Sequence, residues 1–366
     1  MHILGSISTA LCGAANRALT TLSKPAAAVL VFIGAVGMSA CDDDKNDWRP
    51  EGSVLPSAEN DALTRLWETS AASSDLSQRI DIFNTLQKQA DECTDVIFKA
   101  YLEGDAPLAT AMEKTIPVIY NYNKAMDRVL DGISKDTPAA GEVHVYQLYN
   151  MGYVVKTATG TFAVDIFHRR AEELAPYIDF YAITHVHNDH KSLPLAQAMA
   201  KLGKPVLANF DIEGCDPQYI TDENKDYNIG PFSIHSFITD HNNSDTNVPV
   251  TVYKVDCGAD AGNCVIMHSG DSNFGTDKFA TVKDADIDIY IPRYAPNALT
   301  ENNVIGAVFK PDYVLLSHIL ELTHKDVASS RWSLALGLER ASKLDCDNTY
   351  MPFWGERMIW SNGNLR

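Results

Sequence analysis

A chain of 366 residues with 45% hydrophobic content is long enough for two domains or one large one around a sizeable core. Its formal charge of −18 repels phosphate backbones, which argues against action on long nucleic acid. Arg17 and Lys24 are the only charges in residues 1–41, so the acidic excess belongs to the rest of the chain.

Residues 1–41 read as a processing segment. Arg17 and Lys24 precede an apolar stretch from Pro25 to Cys41 that ends in small residues and is too short for a comfortable membrane span. Met38-Ser39-Ala40-Cys41 resembles the end of a bacterial lipoprotein signal, which implies that Cys41 becomes the lipidated first residue of the mature protein. An ordinary cleaved signal and an uncleaved anchor are the alternatives. The acidic run from Asp42 to Asp47 resembles a sorting signal and is consistent with either inner-membrane retention or surface display. Residues 42–60, with Pro50, Gly52 and Pro56, read as a tether. The folded part is therefore expected in the bacterial cell envelope, held to a membrane by lipid, on an undetermined side.

Residues 61–138 read as a helical segment. Leu76, Ile80, Phe83, Ala90, Cys93, Ile97 and Ala100 recur at three- and four-residue steps, and Gly104-Asp105 ends the run. A second helix is expected from Leu108 to Ile133, kinked at Pro117. No His falls between 42 and 143, so the segment is expected to cap or pack rather than react.

From residue 139 the texture changes. Strands are expected over Val143–Tyr149, Tyr153–Thr157, Phe162–Phe167 and Tyr177–Thr184, then Pro205–Ala208, Phe232–Thr239, Val248–Asp256, Cys264–His268, Ile287–Ile291 and Tyr313–Ser317. A last strand is expected near Tyr350–Trp360, with helices at Ala171–Ala175, Leu193–Leu202 and Asp326–Lys343. Strands that first meander and then alternate with helices make an α/β (α+β) fold with two sheets between helical layers. Cys257 and Cys264 sit between two of these strands, where an oxidising compartment permits a disulfide; two facing free thiols are the other reading.

Chemistry concentrates in Thr184-His185-Val186-His187-Asn188-Asp189-His190, where the Tyr177–Thr184 strand stops. A strand ending in a tight loop can aim three imidazoles and a carboxylate at one point, a donor set suited to zinc first, then iron or manganese. A polar loop that is merely rich in histidine is the competing reading.

This His-x-His-x-Asp-His pattern resembles the motif of the metallo-β-lactamase superfamily of metal-dependent hydrolases. The resemblance implies an αββα sandwich over about 141–366, with the domain drawn at 139–366, and two divalent metal ions. One ion would be held by His185, His187 and His241; the other by Asp189, His190 and His318; Asp271 would lie between them. Asp271 follows the strand Val265–His268 through Ser269-Gly270; His241 follows Phe232–Thr239; and His318 follows Tyr313–Ser317. His235, in mid-strand, competes with His241, and His324 with His318. Asp165 resembles an aspartate that supports the ligand loop from behind, with a helix N-cap as its alternative. His268 is expected behind the ligands or in the core, and His324 at the substrate.

The implied reaction is attack by a metal-activated hydroxide, with Asp189 as ligand, nucleophile-orienting group and proton acceptor. His187 speaks for hydrolysis against the flavodiiron oxidoreductases, which carry Glu there, and Asp271 speaks against true β-lactamases, which carry Cys or Ser. No Gly-x-Ser-x-Gly elbow suggests a serine hydrolase. Ser317 to His324 and Phe353 to Arg357 resemble members nearer the lactonase and phospholipase D-like branches. The substrate is thus expected to be a small ester, lactone or phosphodiester. A non-catalytic metal-binding protein of the same fold and a mononuclear iron oxidoreductase are the rivals.

Overall fold

The computed structural model describes residue 55 and residues 61–73, 75–215, 219–241, 248–273, 275–294, 304–325 and 331–366. The signal with Cys41, the tether apart from residue 55, and the start of the expected Asp326–Lys343 helix lie outside the described residues.

The helical segment comprises α1 (Ala62–Trp67), α2 (Ser77–Asp91), α3 (Asp95–Glu103), α4 (Ala106–Thr115) and α5 (Pro117–Lys135). Two sequence expectations are corrected here. The single run through Ala100 breaks after Asp91, because Thr94 caps a new helix by accepting from the Ile97 N–H at 3.3 Å. That break resets the helical phase, so that α3 buries Phe98 and Tyr101 rather than Ile97 and Ala100; within α2 the buried face is Arg79, Ile82, Phe83, Leu86 and Ala90, and Ile80 faces solvent. Pro117 opens α5 rather than kinking a longer helix. Ile116 before it is extended, as the proline ring demands, and the first helical position needs no N–H.

The strands follow in chain order. The first sheet takes β1 (Glu142–Tyr149), β2 (Gly152–Lys156), β3 (Thr161–Val164), β4 (Phe180–Ala182), β5 (Val206–Ala208) and β6 (Tyr219–Ile220), with helix α6 (Leu193–Lys201) between β4 and β5. The second takes β7 (Lys225–Ile229), β8 (Phe232–Asp240), β9 (Pro249–Asp256), β10 (Val265–His268), β11 (Ile289–Ile291), β12 (Tyr313–Leu315) and β13 (Thr349–Tyr350), with α7 (Leu334–Ala341) before β13. The chain then returns to the first sheet as β14 (Arg357–Ser361) and β15 (Asn364–Leu365). The sheet orders are β15-β14-β1-β2-β3-β4-β5-β6 and β13-β12-β11-β10-β9-β8-β7. The expected last strand, Tyr350–Trp360, is therefore two strands in different sheets. Pro352 and Gly355, the latter at φ 77°, break it where the chain crosses over.

Alternation along β1 shows how the layers form. Val143 and Val145 point between the sheets and meet Phe232, Ile234, Val255 and Ile266, while Tyr146 and Leu148 point outward into the core shared with the helices. Helices lie outside and two sheets face each other inside. The fold is an αββα sandwich. The helical segment joins its outer layer through one continuous core: Phe83, Phe98, Tyr122 and Val129 pack in the same cluster as Tyr149, Ile166 and Trp354. The Arg79–Glu356 ion pair at 2.7 Å ties α2 to the β14 approach.

The Cys257–Cys264 disulfide is not formed. Both stand as buried free thiols at a turn already closed by the backbone, where the Cys257 N–H donates to the Cys264 carbonyl at 2.9 Å.

Pairing fixes where the loops gather. β3, β4 and β5 are parallel, and β1 points with β3 because β2 is antiparallel to both. In the second sheet β10, β11 and β12 are parallel and β8 shares their direction through antiparallel β9. The carboxyl ends of these strands therefore open on one end of each sheet, where open α/β folds place their sites.

Candidate metal centre

Every member of the cluster follows one of those strand ends. His185, His187, Asp189 and His190 follow β4; His241 follows β8; Asp271 follows β10; and His318 follows β12. The motif loop is held from both sides: the Thr184 carbonyl accepts from the Thr251 N–H at 2.8 Å, and the Thr184 N–H donates to Asp165 Oδ1 at 2.8 Å.

The seven side chains converge. One ligand atom from each of His185, His187 and His241 lies within 4.8 Å of the other two, and the same holds for Asp189, His190 and His318 and for His185, His190 and Asp271. Asp271 sits among three imidazoles, with His241 Nε2 at 3.3 Å and His190 and His318 Nε2 at 3.4 Å. Asp189 Oδ2 lies 3.2 Å from His318 Nε2 and 3.3 Å from His190 Nε2. The Nε2 atoms of His185, His190 and His318 are fully buried and make no hydrogen bond. Buried imidazole nitrogens that make no hydrogen bond and are gathered around two carboxylates require an explanation, and a cation supplies one. The donor set, imidazole nitrogens and carboxylate oxygens, fits zinc, iron or manganese.

Protonation favours the same occupant. Burial, reinforced by neighbouring His190, pushes His185 well below its ordinary value, and burial lowers His187 as well. Burial alone would raise the carboxyls of Asp189 and Asp271, but the imidazoles of His190 and His318 outweigh it and hold both well below the usual range. His190 goes the other way: burial opposes its charge, yet Asp271, Asp189 and Asp165 raise it well above the ordinary histidine value. One imidazole thus takes up the positive charge that this ring of carboxylates demands and that a metal ion would otherwise provide.

The supporting residues lock this geometry. Asp165 is fully buried, at φ 49°, and accepts from Thr184 Oγ1 at 2.7 Å while its Oδ2 meets His190 Nδ1 at 2.8 Å. That fixes Nε2 of His190 toward the cluster, so Asp165 braces the motif and does not act as the alternative helix N-cap. Gly270, at φ 49°, must be glycine, because a Cβ there would lie 2.4 Å from Thr184 Oγ1. His318 itself is held at φ 60°, a conformation that a non-glycine residue keeps only under the constraint of its surroundings.

The remaining histidines separate cleanly. His235 lies away from the cluster, paired with Asp226 at 2.7 Å and near Thr281 at 3.1 Å. His268 is buried beneath Gly270, with Nδ1 accepting its N–H at 3.3 Å and Nε2 at 2.9 Å from the Met151 carbonyl. His324 is part-exposed at the rim, beside His318 and 3.5 Å from Glu321, and a ligand atom of each lies within 4.8 Å of Asp189.

Three participants were not visible in the sequence pattern. Asn150, in the β1–β2 turn, donates from Nδ2 to Asp189 Oδ2 at 3.2 Å. Arg293, after β11, is buried with a nitrogen 3.8 Å from Asp271, and donates to the carbonyls of Ser272 and His241. Glu321, fully buried, accepts from Tyr149, Thr323 and the His324 N–H.

No protein-family model matches the chain, and no curated protein matches it. Solved structures similar to it include YhfI from Bacillus subtilis, a metallo-β-lactamase-fold protein, at 15% identity and TM-score 0.46, over 61% of this chain and 100% of that one. Igni18, a metallo hydrolase from the archaeon Ignicoccus hospitalis, is similar at 14% identity and TM-score 0.45, over 60% of this chain and 99% of its own. CmlA, a diiron β-hydroxylase from Streptomyces venezuelae, is similar at 14% identity and TM-score 0.42, over 62% and 55%.

Proposed function

We propose that this chain is a metal-dependent hydrolase of the metallo-β-lactamase superfamily that acts on a small ester, lactone or phosphodiester. The observation that carries the reading is the convergence of three ligand triplets, His185 with His187 and His241, His185 with His190 and Asp271, and Asp189 with His190 and His318, which are linked through His185 and His190 of the motif loop. His185, His187 and His241 would hold one divalent ion and Asp189, His190 and His318 a second, with Asp271 facing both. Zinc is the first choice, with manganese and iron behind it.

Metal ions held there supply a water of lowered pKa and polarise the bond under attack. The protein's own groups do the rest. Asp189 is ionised, oriented by Asn150 and His318, and placed to take a proton from the attacking water. Asp165 keeps the His190 tautomer fixed through the cycle. Arg293 holds the backbone at His241 and Ser272, and its charge steadies Asp271. We further propose that Cys41 carries a lipid, which would place the site at an envelope membrane; among the described residues no helix is long and apolar enough to cross one.

The test is turnover of purified protein loaded with zinc or manganese, each with a chelator control. Proton release reports esters and lactones, and colour release reports a chromogenic phosphodiester. Chelator-sensitive turnover of one class is expected, and His187→Ala and Asp189→Ala are each expected to abolish it, by about 100-fold or more. Unchanged turnover in both variants would overturn the reading. Silence on every substrate with metal bound would favour a non-catalytic metal protein or an iron oxidoreductase.

A further inference from the structure

Away from the metal centre, a cavity of about 350 Å³ opens between α1, α5 and the β1–β14 pair, with Trp67, Lys124, Arg128, Tyr146 and Arg357 in its wall. Trp67, Arg128 and Arg357 also line a neighbouring cavity of about 240 Å³ that reaches Arg366. The combined volume suits a small ligand or a headgroup. Tyr146 lies four residues before Asn150, roughly 13 Å along the strand, and on the outer face of the sheet.

The charges around these cavities are paired, with one exception. Lys124 lies 3.2 Å from Asp61, and Glu356 is held by Arg79 at 2.7 Å. Arg357 pairs with Asp136, which also accepts from the Tyr146 hydroxyl, and Asp131 pairs with Lys135. Arg366 meets Glu142 at 3.2 Å. Arg128 alone among them has no hydrogen bond or ion pair among the described residues. Its guanidinium lies 4.2 Å from the centroid of the Trp67 ring, a cation–π contact that leaves its planar fork of N–H donors unused. The nearby carboxylates Glu356 and Asp136 act on Arg128 only at a distance, being already engaged by Arg79 and Arg357, so its donor fork is left for a planar anion to answer with two parallel hydrogen bonds.

The platform is rigid. The Trp67 indole N–H donates to the Trp354 carbonyl at 2.8 Å, and its ring packs so closely on Gly355 that a Cβ there would approach to 2.7 Å. Arg128 is therefore presented on a fixed surface.

We propose that Arg128, on the Trp67 platform, is a binding site for a ligand carrying one carboxylate or phosphate group, separate from the metal centre. The same chemistry is offered by a soluble small anion and by a phospholipid headgroup. Isothermal titration of the full chain, stripped of metal by chelation and then freed of the chelator, uses three probes: inorganic phosphate, acetate, and a short-chain phosphatidylglycerol below its micelle concentration. At least one probe is expected to bind saturably. Arg128→Gln is expected to weaken that binding at least tenfold, and Arg128→Lys to restore part of it, with the thermal midpoints of all three proteins alike. Tighter binding of the phospholipid than of either bare anion assigns the site to headgroups; equal or weaker binding assigns it to soluble anions. Absence of saturable binding by every probe, or equal affinity in wild type and Arg128→Gln, would overturn the proposal.

Discussion

Asp165 is fully buried behind the cluster, yet it governs the motif. Its carboxylate takes the Thr184 N–H and hydroxyl on one side and His190 Nδ1 on the other, so one side chain sets both the loop and a ligand tautomer. Asp165→Asn replaces an acceptor oxygen with a donor amide, which cannot serve all three partners. Metal affinity is expected to fall about 10- to 100-fold, measured by competition with a chromophoric chelator, with the fold intact by circular dichroism. Unchanged affinity would make Asp165 a packing residue only. At this scale the sequence was most legible where the chemistry is local. His185, His187, Asp189 and His190 share one loop, so their offsets alone announce a common target. His241, Asp271 and His318 were placed by the family resemblance, each at a position that follows an expected strand. Asn150, Arg293 and Glu321 could not, because their roles arise only when strands distant in sequence are brought side by side.

Among the elements, His168 shows how the helical layer is fastened to the sheet. It follows β3, stacks on Tyr122 of α5 at 4.1 Å, accepts the Arg170 N–H on Nδ1 at 3.0 Å and lies 3.2 Å from the Tyr122 carbonyl through Nε2. Burial pushes its pKa from 6.5 down to about 3, so the folded state keeps it neutral where an unfolded chain would protonate it. Because the unfolded state then binds more protons, His168 makes stability fall as pH drops from about 6.5 towards 3, by about 1.4 kcal/mol per pH unit at most. His168→Gln is expected to flatten that part of the stability-versus-pH curve by up to one proton, read from urea midpoints. An identical slope in the variant would contradict this. The elements themselves were legible where alternation was strong, as along β1 and β8. Errors came where a punctuating residue was read too lightly: Thr94 as a helix cap, Pro117 as a helix start, and Pro352 with Gly355 as a crossing between sheets. The helical segment offered no histidine or motif to read in the sequence; in the fold it completes the outer layer, with Arg79 and Glu356 sealing the join.

For the molecule as a whole, the sandwich brings the strand ends of two sheets to one place and gives the acidic chain a compact reason to bind cations. Asp165, Asp189 and Asp271 face a cluster of imidazoles inside the protein, so an ion bound there stabilises the folded state as well as serving chemistry. Under the proposed function the cluster would hold two metal ions. The most direct measurement is the metal stoichiometry of the purified chain, by elemental mass spectrometry after equilibration with zinc and removal of excess, alongside the Asp189→Ala variant. Two ions per wild-type chain, fewer in the variant, and a lower thermal midpoint after chelation are predicted. A wild-type chain that retains no metal, with a midpoint indifferent to chelator, would contradict the account.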